Sequence, residues 1–344
     1  MIADDAYYRE VDLPAFKQIV APLLGGKILD IHAHARADVP ERTNHFMQNK
    51  YPGRRLEGFP LEELLDTARL MWPEQQFHAL VFGMPTLNMR DSSNEHVRRG
   101  CARHDRLYPL YIPDLQASEQ QILRTILDDG YLGFKPYWSL VEGKGSEQEV
   151  SILEMLPEPC MRVAEQLGLI IMLHIPGTGR LASEANIADI RRLSREYPNA
   201  KIVIAHLGRS YCLWSMSGGV KQLCNLPNVY WDTSVVQEAM VFKVFFDHVD
   251  PAKAMYGTDL PIMQMRGRRV CINGAWVDVA REARGWTASR DPANPIRATF
   301  MTYEMIRAMR EGAEAAGIGE EALKPIFFEN GMRLIREVLK TIGS

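Results

Sequence analysis

Short apolar, β-branched or aromatic runs recur along the chain, separated by longer segments that often show helical spacing. The runs are KILDIHAH (27–34), FHALVFGMP (77–85), RLYPLYIPDL (106–115), GYLGFKPYW (130–138), LGLIIMLHI (167–175), AKIVIAHLG (200–208), NVYWDTS (228–234) and KAMYGTDLP (253–261). Between them, PLEELLDTARLMW is apolar at 61, 64, 65, 68 and 71. ASEQQILRTILDDGY opens on a serine cap and is apolar at 122, 123, 126 and 127. EANIADIRRLSREYPNA stops at Pro-Asn before the next run. Eight strands alternating with helices predict an α/β fold, a (β/α)8 TIM barrel formed as a single domain over residues 1–344. The competing doubly wound sheet would place a glycine-rich phosphate turn after its first strand, and here that strand leads into HAHARADVP.

Two excursions interrupt the alternation. Residues 35–59, after the first strand, hold Arg36, Arg42, His45, Tyr51, Arg54 and Arg55 with little periodicity. Residues 262–298, after the eighth, contain RRVCINGAWVDV, where Asn273-Gly274 between two β-prone runs signals a hairpin. Both belong at the C-terminal mouth of a barrel, where active sites form, so 262–298 is expected to be an active-site insertion. Ahead of the first strand, Val11, Leu13, Phe16, Ile19, Val20 and Leu23 have amphipathic spacing, which predicts an N-terminal helical extension over 1–26.

Composition narrows the class. At 46% hydrophobic and 24% charged, the chain reads as an ordinary soluble globular protein. A formal charge of -3 with dispersed basic residues excludes an electrostatic footprint for nucleic acid. The longest strongly apolar run, LGLIIML, is far shorter than the roughly 20 residues of a membrane span. The N-terminus carries acidic residues where a signal peptide needs basic ones, so the expected location is cytoplasmic. Five cysteines, at 101, 160, 212, 224 and 271, are odd in number and form no CxxC pair, and are expected to be reduced thiols. A homo-oligomer is compatible with the sequence, and no motif fixes its size.

Strand side chains alternate, so Asp30, His32 and His34 share one face of the first strand, which in a barrel can point inward. His-x-His alone is a weak signal. Lys135, His174, His206 and Asp259 stand at or near the ends of the fourth, fifth, sixth and eighth strands and strengthen it. Barrel interiors favour branched apolar residues, so polar groups at one level need a common reason, and a divalent metal supplies one. Imidazoles with one carboxylate suit Zn2+, with Mn2+ or Fe2+ as alternatives, and an open position would activate water. Asp259 then serves as ligand and proton acceptor, while His206 orients the substrate oxygen or donates to the leaving group. Asp30 is expected to hold an imidazole or a backbone group in place, and Asp232 either to do the same or to be simply a hydrogen-bonded barrel residue. Tyr137 shares the pleat face of Lys135 and is a candidate substrate contact, whereas Trp138 is expected against a helix. Arg36, Arg209, Arg266, Arg268 and Arg269 near the mouth read either as solvated loop charge or as carboxylate clamps, with Arg36 and Arg209 the candidate substrate contacts. His45, His78, His96, His104 and His248 have no matching partner in the pattern and are expected to be structural.

Taken in order, DIHAH, GFK, MLHIPG, IAHLG and YGTDLP resemble the strand-end motifs of the amidohydrolase superfamily of metal-dependent barrel enzymes. NVYWDTS and FFENGMRLI are more particularly similar to the amidohydrolase 2 branch, which includes aminocarboxymuconate semialdehyde decarboxylase and resorcylate decarboxylase relatives alongside hydrolases. The resemblance covers nearly the whole chain. It implies His32, His34, His174 and Asp259 as ligands of one divalent metal, with His206 as a catalytic side chain. It also implies a fork at Lys135, because in two-metal members a strand-four lysine becomes carboxylated and bridges the ions. One metal is the preferred expectation. The expected function is metal-dependent hydrolysis of a small carbonyl compound, an amide, lactone or relative, by a metal-activated water. The alternative is non-oxidative decarboxylation of an aromatic or unsaturated carboxylic acid. A third reading, a barrel that has lost catalysis and only binds, is disfavoured by intact motif positions.

Overall fold

The computed structural model describes residues 5–36, 58–281 and 297–343. Arg42, His45, Tyr51, Arg54 and Arg55, and the parts of the two mouth excursions at 37–57 and 282–296, lie outside the described residues.

Eight strands follow the apolar runs: β1 (Lys27–His34), β2 (Gln76–Phe82), β3 (Leu107–Pro109), β4 (Gly133–Phe134), β5 (Ile170–Leu173), β6 (Lys201–Ile204), β7 (Val229–Asp232) and β8 (Ala254–Met255). They pair in sequence order and in parallel, β1 to β3 in one ladder and β4 to β8 in another. Backbone hydrogen bonds close both seams. Between β3 and β4, Tyr111 N donates to Gly133 O and Lys135 N to Tyr111 O, each at 2.8 Å. Between β8 and β1, Ile31 N donates to Tyr256 O at 3.0 Å, Asp259 N to His32 O at 2.7 Å and His34 N to Leu260 O at 3.1 Å. The result is the expected (β/α)8 barrel.

Each strand is followed by a helix that lays its apolar stripe on the barrel: α1 (Leu61–Met71), α2 (Arg90–Cys101), α3 (Glu119–Asp129), α4 (Glu158–Leu167), α5 (Glu184–Glu196), α6 (Leu213–Leu223), α7 (Ala239–Phe246) and α8 (Met301–Ala315). A last helix, α9 (Glu329–Ile342), packs beneath. Local chemistry sets these boundaries. In α3, Ser118 and Gln121 form a reciprocal capping box, and Gly130 ends the helix in the left-handed region at φ 70°. Buried Ile122 and Ile126, one turn apart, then fix the face that α3 turns inward.

Residues 5–23 are helical throughout, with wide π-type turns at Tyr8–Asp12 and Phe16–Val20, and Phe16, Ile19, Val20 and Leu23 are buried. Asp12 is fully buried as well. It accepts from Arg266 Nη2 at 2.6 Å and from the Thr299 hydroxyl at 3.0 Å, which pins this segment to the chain that follows β8. Breaking such a pair on one side would leave an uncompensated buried charge.

The hairpin signalled by Asn273-Gly274 is present as β9 (Gly267–Ile272) and β10 (Ala275–Ala280), with both turn residues at positive φ, 55° and 81°. It carries a correction. Cys212, at the start of α6, is disulfide-bonded to Cys271 of β9, while Cys101, Cys160 and Cys224 are free. An odd count without CxxC says nothing about two distant cysteines that folding brings to a Cα separation of 5.5 Å. The thiol argument for a reducing compartment therefore lapses. Among the described residues no helix is long and apolar enough to cross a membrane.

Candidate metal centre

The centre is built from the ends of β1, β4, β5, β6 and the segment after β8. The register between β1 and β2 slips between Asp30 and Ala33, a local irregularity of the kind that re-aims side chains beside active sites. His32 is buried, and its Nδ1 donates to Asp232 Oδ2 at 2.9 Å. His34 Nδ1 donates to the Gly83 carbonyl at 2.9 Å. Both neutral rings thus have their proton on Nδ1 and a lone pair on Nε2. Those two Nε2 atoms lie 3.5 and 3.2 Å from the same oxygen, Asp259 Oδ1. Lone pairs converging on a carboxylate repel one another unless a cation stands among them, so this donor set fits a divalent metal ion.

His206 joins the group. One donor atom each of His32, His206 and Asp259 lie within 4.8 Å of one another. His206 Nδ1 is 2.7 Å from the Ser234 hydroxyl, and that hydroxyl donates to Asp232 Oδ2. Ser234 therefore accepts from Nδ1, and the His206 lone pair is also on Nε2. The backbone at His206 and at Asp259 is left-handed, φ 56° and 61°, strain of the kind that persists where surrounding structure over-determines a functional group.

Asp232 organises these ligands from behind. It is fully buried, takes the His32 ring and the Ser234 hydroxyl, and accepts the His206 backbone N–H at 3.1 Å. Burial alone would raise its carboxyl, and His32 together with His206 and Ser234 outweighs that and holds it low. Gly257 makes room for it, since a Cβ there would stand 2.3 Å from Asp232 Oδ1 and 2.9 Å from His32 Cβ. Asp30 plays the backbone part expected of it, accepting from His32 N and Thr258 N at 3.0 Å each. Burial pushes the Asp30 carboxyl up to about 8.

His174 stands against this group on the side of His206 and Tyr137. Its ring centroid is 5.3 Å from that of His206 and 4.7 Å from that of Tyr137. Tyr137 thus stands against a histidine of the mouth, and Trp138 packs on the hydrophobic core. Lys135 is buried, with Nζ 3.5 Å from His32 Nε2 and 4.8 Å from the centre of the Phe82 ring. Burial pushes its amine down to about 8. Burial likewise lowers His32, drives His174 well below its usual value and brings His206 down to about 3, leaving imidazoles suited to bind a cation.

The mouth arginines are neither loose charge nor bare clamps. Arg209 pairs with Glu147 at 2.7 Å and donates to the carbonyls of Ile175 and Gly177, tying the loops after β4, β5 and β6 together. Arg266 holds Asp12, and Arg269 pairs with Asp278 at 2.7 Å inside the hairpin. Arg268 Nη2 donates to the Gln237 carbonyl at 3.1 Å. Arg36 is buried, its main chain bonded both ways to Phe59 and its Nη1 3.7 Å from Met84 Sδ. Ser234, Tyr211 and Arg180 also surround the mouth and escape sequence reasoning. Ser234 has a weak signal, two residues past Asp232 at a strand end, whereas Tyr211 and Arg180 sit in loops without periodicity.

An α/β barrel with imidazoles, a carboxylate and a lysine gathered at its C-terminal mouth has the build of a metal-dependent enzyme. The chain belongs to the amidohydrolase family, whose pattern matches residues 29–278. No curated protein matches the sequence. Among solved structures it is similar to a 2,6-dihydroxybenzoate decarboxylase from Rhizobium, with 14% identity and a TM-score of 0.57 over 91% of this chain and 99% of that one. A candidate 2-pyrone-4,6-dicarboxylic acid hydrolase from Pseudomonas putida gives 15% identity and a TM-score of 0.55 over 91% and 98%. A dihydroxybenzoic acid decarboxylase from a Polaromonas species, solved with manganese and the inhibitor 2-nitroresorcinol, gives 13% and 0.53 over 92% and 98%. At such identities the likeness speaks to the fold.

Proposed function

We propose that the protein is a metal-dependent hydrolase of a small carbonyl compound, an amide, a lactone or a relative. The observation that carries this is the placement of Asp259. Its side chain is 20% exposed at the mouth, while the other carboxylates of the centre, Asp30 and Asp232, are fully buried. His32, His34, His174 and Asp259 would hold one divalent cation, with Zn2+ first and Mn2+ or Fe2+ next, and the manganese in the Polaromonas structure supports that class of ion. Such an ion supplies Lewis acidity and lowers the pKa of bound water.

The chain's own residues do the rest. The Asp259 carboxylate accepts the proton of the water that attacks the substrate carbonyl. That proton passes to His206 Nε2, which hands it to the leaving group. The imidazolium formed in between is stabilised through Ser234 by Asp232. Asp232 also fixes the His32 ring, so both imidazoles are oriented by one buried carboxylate. Tyr137, over His174, bounds the substrate side.

Decarboxylation of an aromatic acid on the same residues is the second reading. It is favoured by the aromatic side chains at the mouth, Tyr137 against His174 and Tyr211 against Trp276, the last two with ring centroids 5.2 Å apart. Turnover in 18O-labelled water of a panel of lactones, amides and aromatic carboxylic acids tests both. Hydrolysis predicts label in the acid product without CO2. Release of CO2 with no label incorporated would transfer the site to the second reading.

A further inference from the structure

Arg180 lies in the loop after β5, in the short turn Arg180–Ala182, with left-handed backbone at φ 50°. Its guanidinium carbon stands 5.3 Å from the centre of the Tyr211 ring and 5.8 Å from that of Trp214. Aromatic faces hold a guanidinium without using its N–H groups. Two of its nitrogens, Nε and Nη1, are sealed from solvent and have no hydrogen-bond partner. Charged donors buried in this way are costly and rare in native structures unless something else satisfies them.

The surroundings sharpen the point. Arg209, Glu147 and Arg269 all bear on Arg180. Glu147 pairs directly with Arg209, and Asp278 with Arg269. Arg180 forms no ion pair among the described residues. Among the described residues the three guanidiniums thus share two carboxylates, and Arg180 is the one without a direct partner. Its position is informative too. The Tyr211 ring that carries Arg180 lies 6.3 Å from the His206 ring, so one aromatic side chain separates the cation from the centre.

We propose that Arg180 is a specificity-determining residue that receives a carboxylate of the substrate, at the end remote from the bond that reacts. This rests on the reading of the mouth as the site of a small-molecule enzyme, and it narrows the substrate class to acids whose anionic group lies about one ring away from the reacting carbon. The guanidinium fork suits a carboxylate in two-point contact, and Tyr211 and Trp276 favour a flat skeleton.

The test uses benzoate and isophthalate as probes, titrated calorimetrically into the metal-loaded protein. Wild type is expected to bind isophthalate more tightly than benzoate by tenfold or more, the scale of a charge-assisted contact. Arg180→Gln is expected to erase that preference while leaving benzoate affinity and metal content unchanged, and Arg180→Lys to retain part of it. If wild type binds both probes and Arg180→Gln keeps the preference, the assignment of Arg180 is overturned and the catalytic reading of the mouth stands. If wild type binds neither probe, the carboxylate subsite is overturned together with the reading of the mouth as an acid-binding site.

Discussion

At the scale of single residues, His174 and His206 carry the sharpest distinction. They are neighbours at the ends of β5 and β6, yet only His206 shares the close group with His32 and Asp259, and only His206 has a Ser234–Asp232 relay behind it. If His174 is a ligand and His206 a proton carrier, truncation separates them. His174→Ala should lower bound metal several-fold, whereas His206→Ala should retain the metal and lose about 10²- to 10⁴-fold in turnover, the usual worth of positioned acid–base chemistry. Metal analysis beside kinetics on both variants reads this, and the opposite pattern would exchange the two roles. His78 provides a test of stability. Burial, followed by Arg106 and Lys27, pushes it down to about 4, so the unfolded chain binds its proton more readily than the folded one. Its contribution is therefore present above about pH 6.5 and is lost as pH falls toward 4. Urea unfolding from pH 7 to 4 should show a shallower loss of stability in His78→Gln than in wild type, and identical slopes would refute the assignment.

At the scale of elements, the mouth hairpin is held by covalent, hydrogen-bonded and stacking contacts together. Cys271 is bonded to Cys212, Trp214 Nε1 donates to the Gly274 carbonyl at 2.9 Å, and Arg269 stacks on Tyr211 and Trp276 at 4.5 and 4.1 Å. With the cysteines at a sequence separation of 59, the chain-entropy account assigns the cross-link about 4 kcal/mol, an upper figure in practice. Cys271→Ser should therefore lower the unfolding midpoint, and a reductant should shift wild type but not the variant. A variant as stable as wild type would mean that the hairpin packs without the bond. The hairpin itself was legible, because Asn273-Gly274 demands a mirror-image turn wherever two β-prone runs flank it. The cross-link was not, since pairing two cysteines on different barrel units is a product of tertiary approach.

At the scale of the whole molecule, the barrel was readable because each strand is a short apolar run and each helix has its own period, so local preference and global fold agree. Alternation made His32 and His34 readable within β1, whereas Lys135, His174, His206 and Asp259 stand past the last residues of their strands and were legible only from their place at the end of each apolar run. What spacing left hidden are the connections made across the barrel. Asp232 orients His32 from a strand six further along the sequence, Gly257 leaves the space this requires, and Arg180 and Tyr211 meet over irregular loops. The mouth arginines show the same limit from the other side. Their nearness to the site was visible in the sequence, but their partners, Glu147, Asp12 and Asp278, were fixed only by the fold.

The central claim is that converging lone pairs from the barrel strands hold one divalent ion. It is tested most directly by titrating Zn2+ or Mn2+ into chelator-stripped protein, with metal analysis and thermal unfolding as joint readouts. Binding to the folded state alone must raise the unfolding midpoint. The account predicts uptake of about one equivalent per chain with a matching rise in midpoint, and loss of both in Asp259→Asn, whose barrel remains folded. Absence of uptake, or uptake that Asp259→Asn leaves unchanged, would contradict the claim, and two equivalents with carboxylated Lys135 would replace the single-ion centre by a bridged pair.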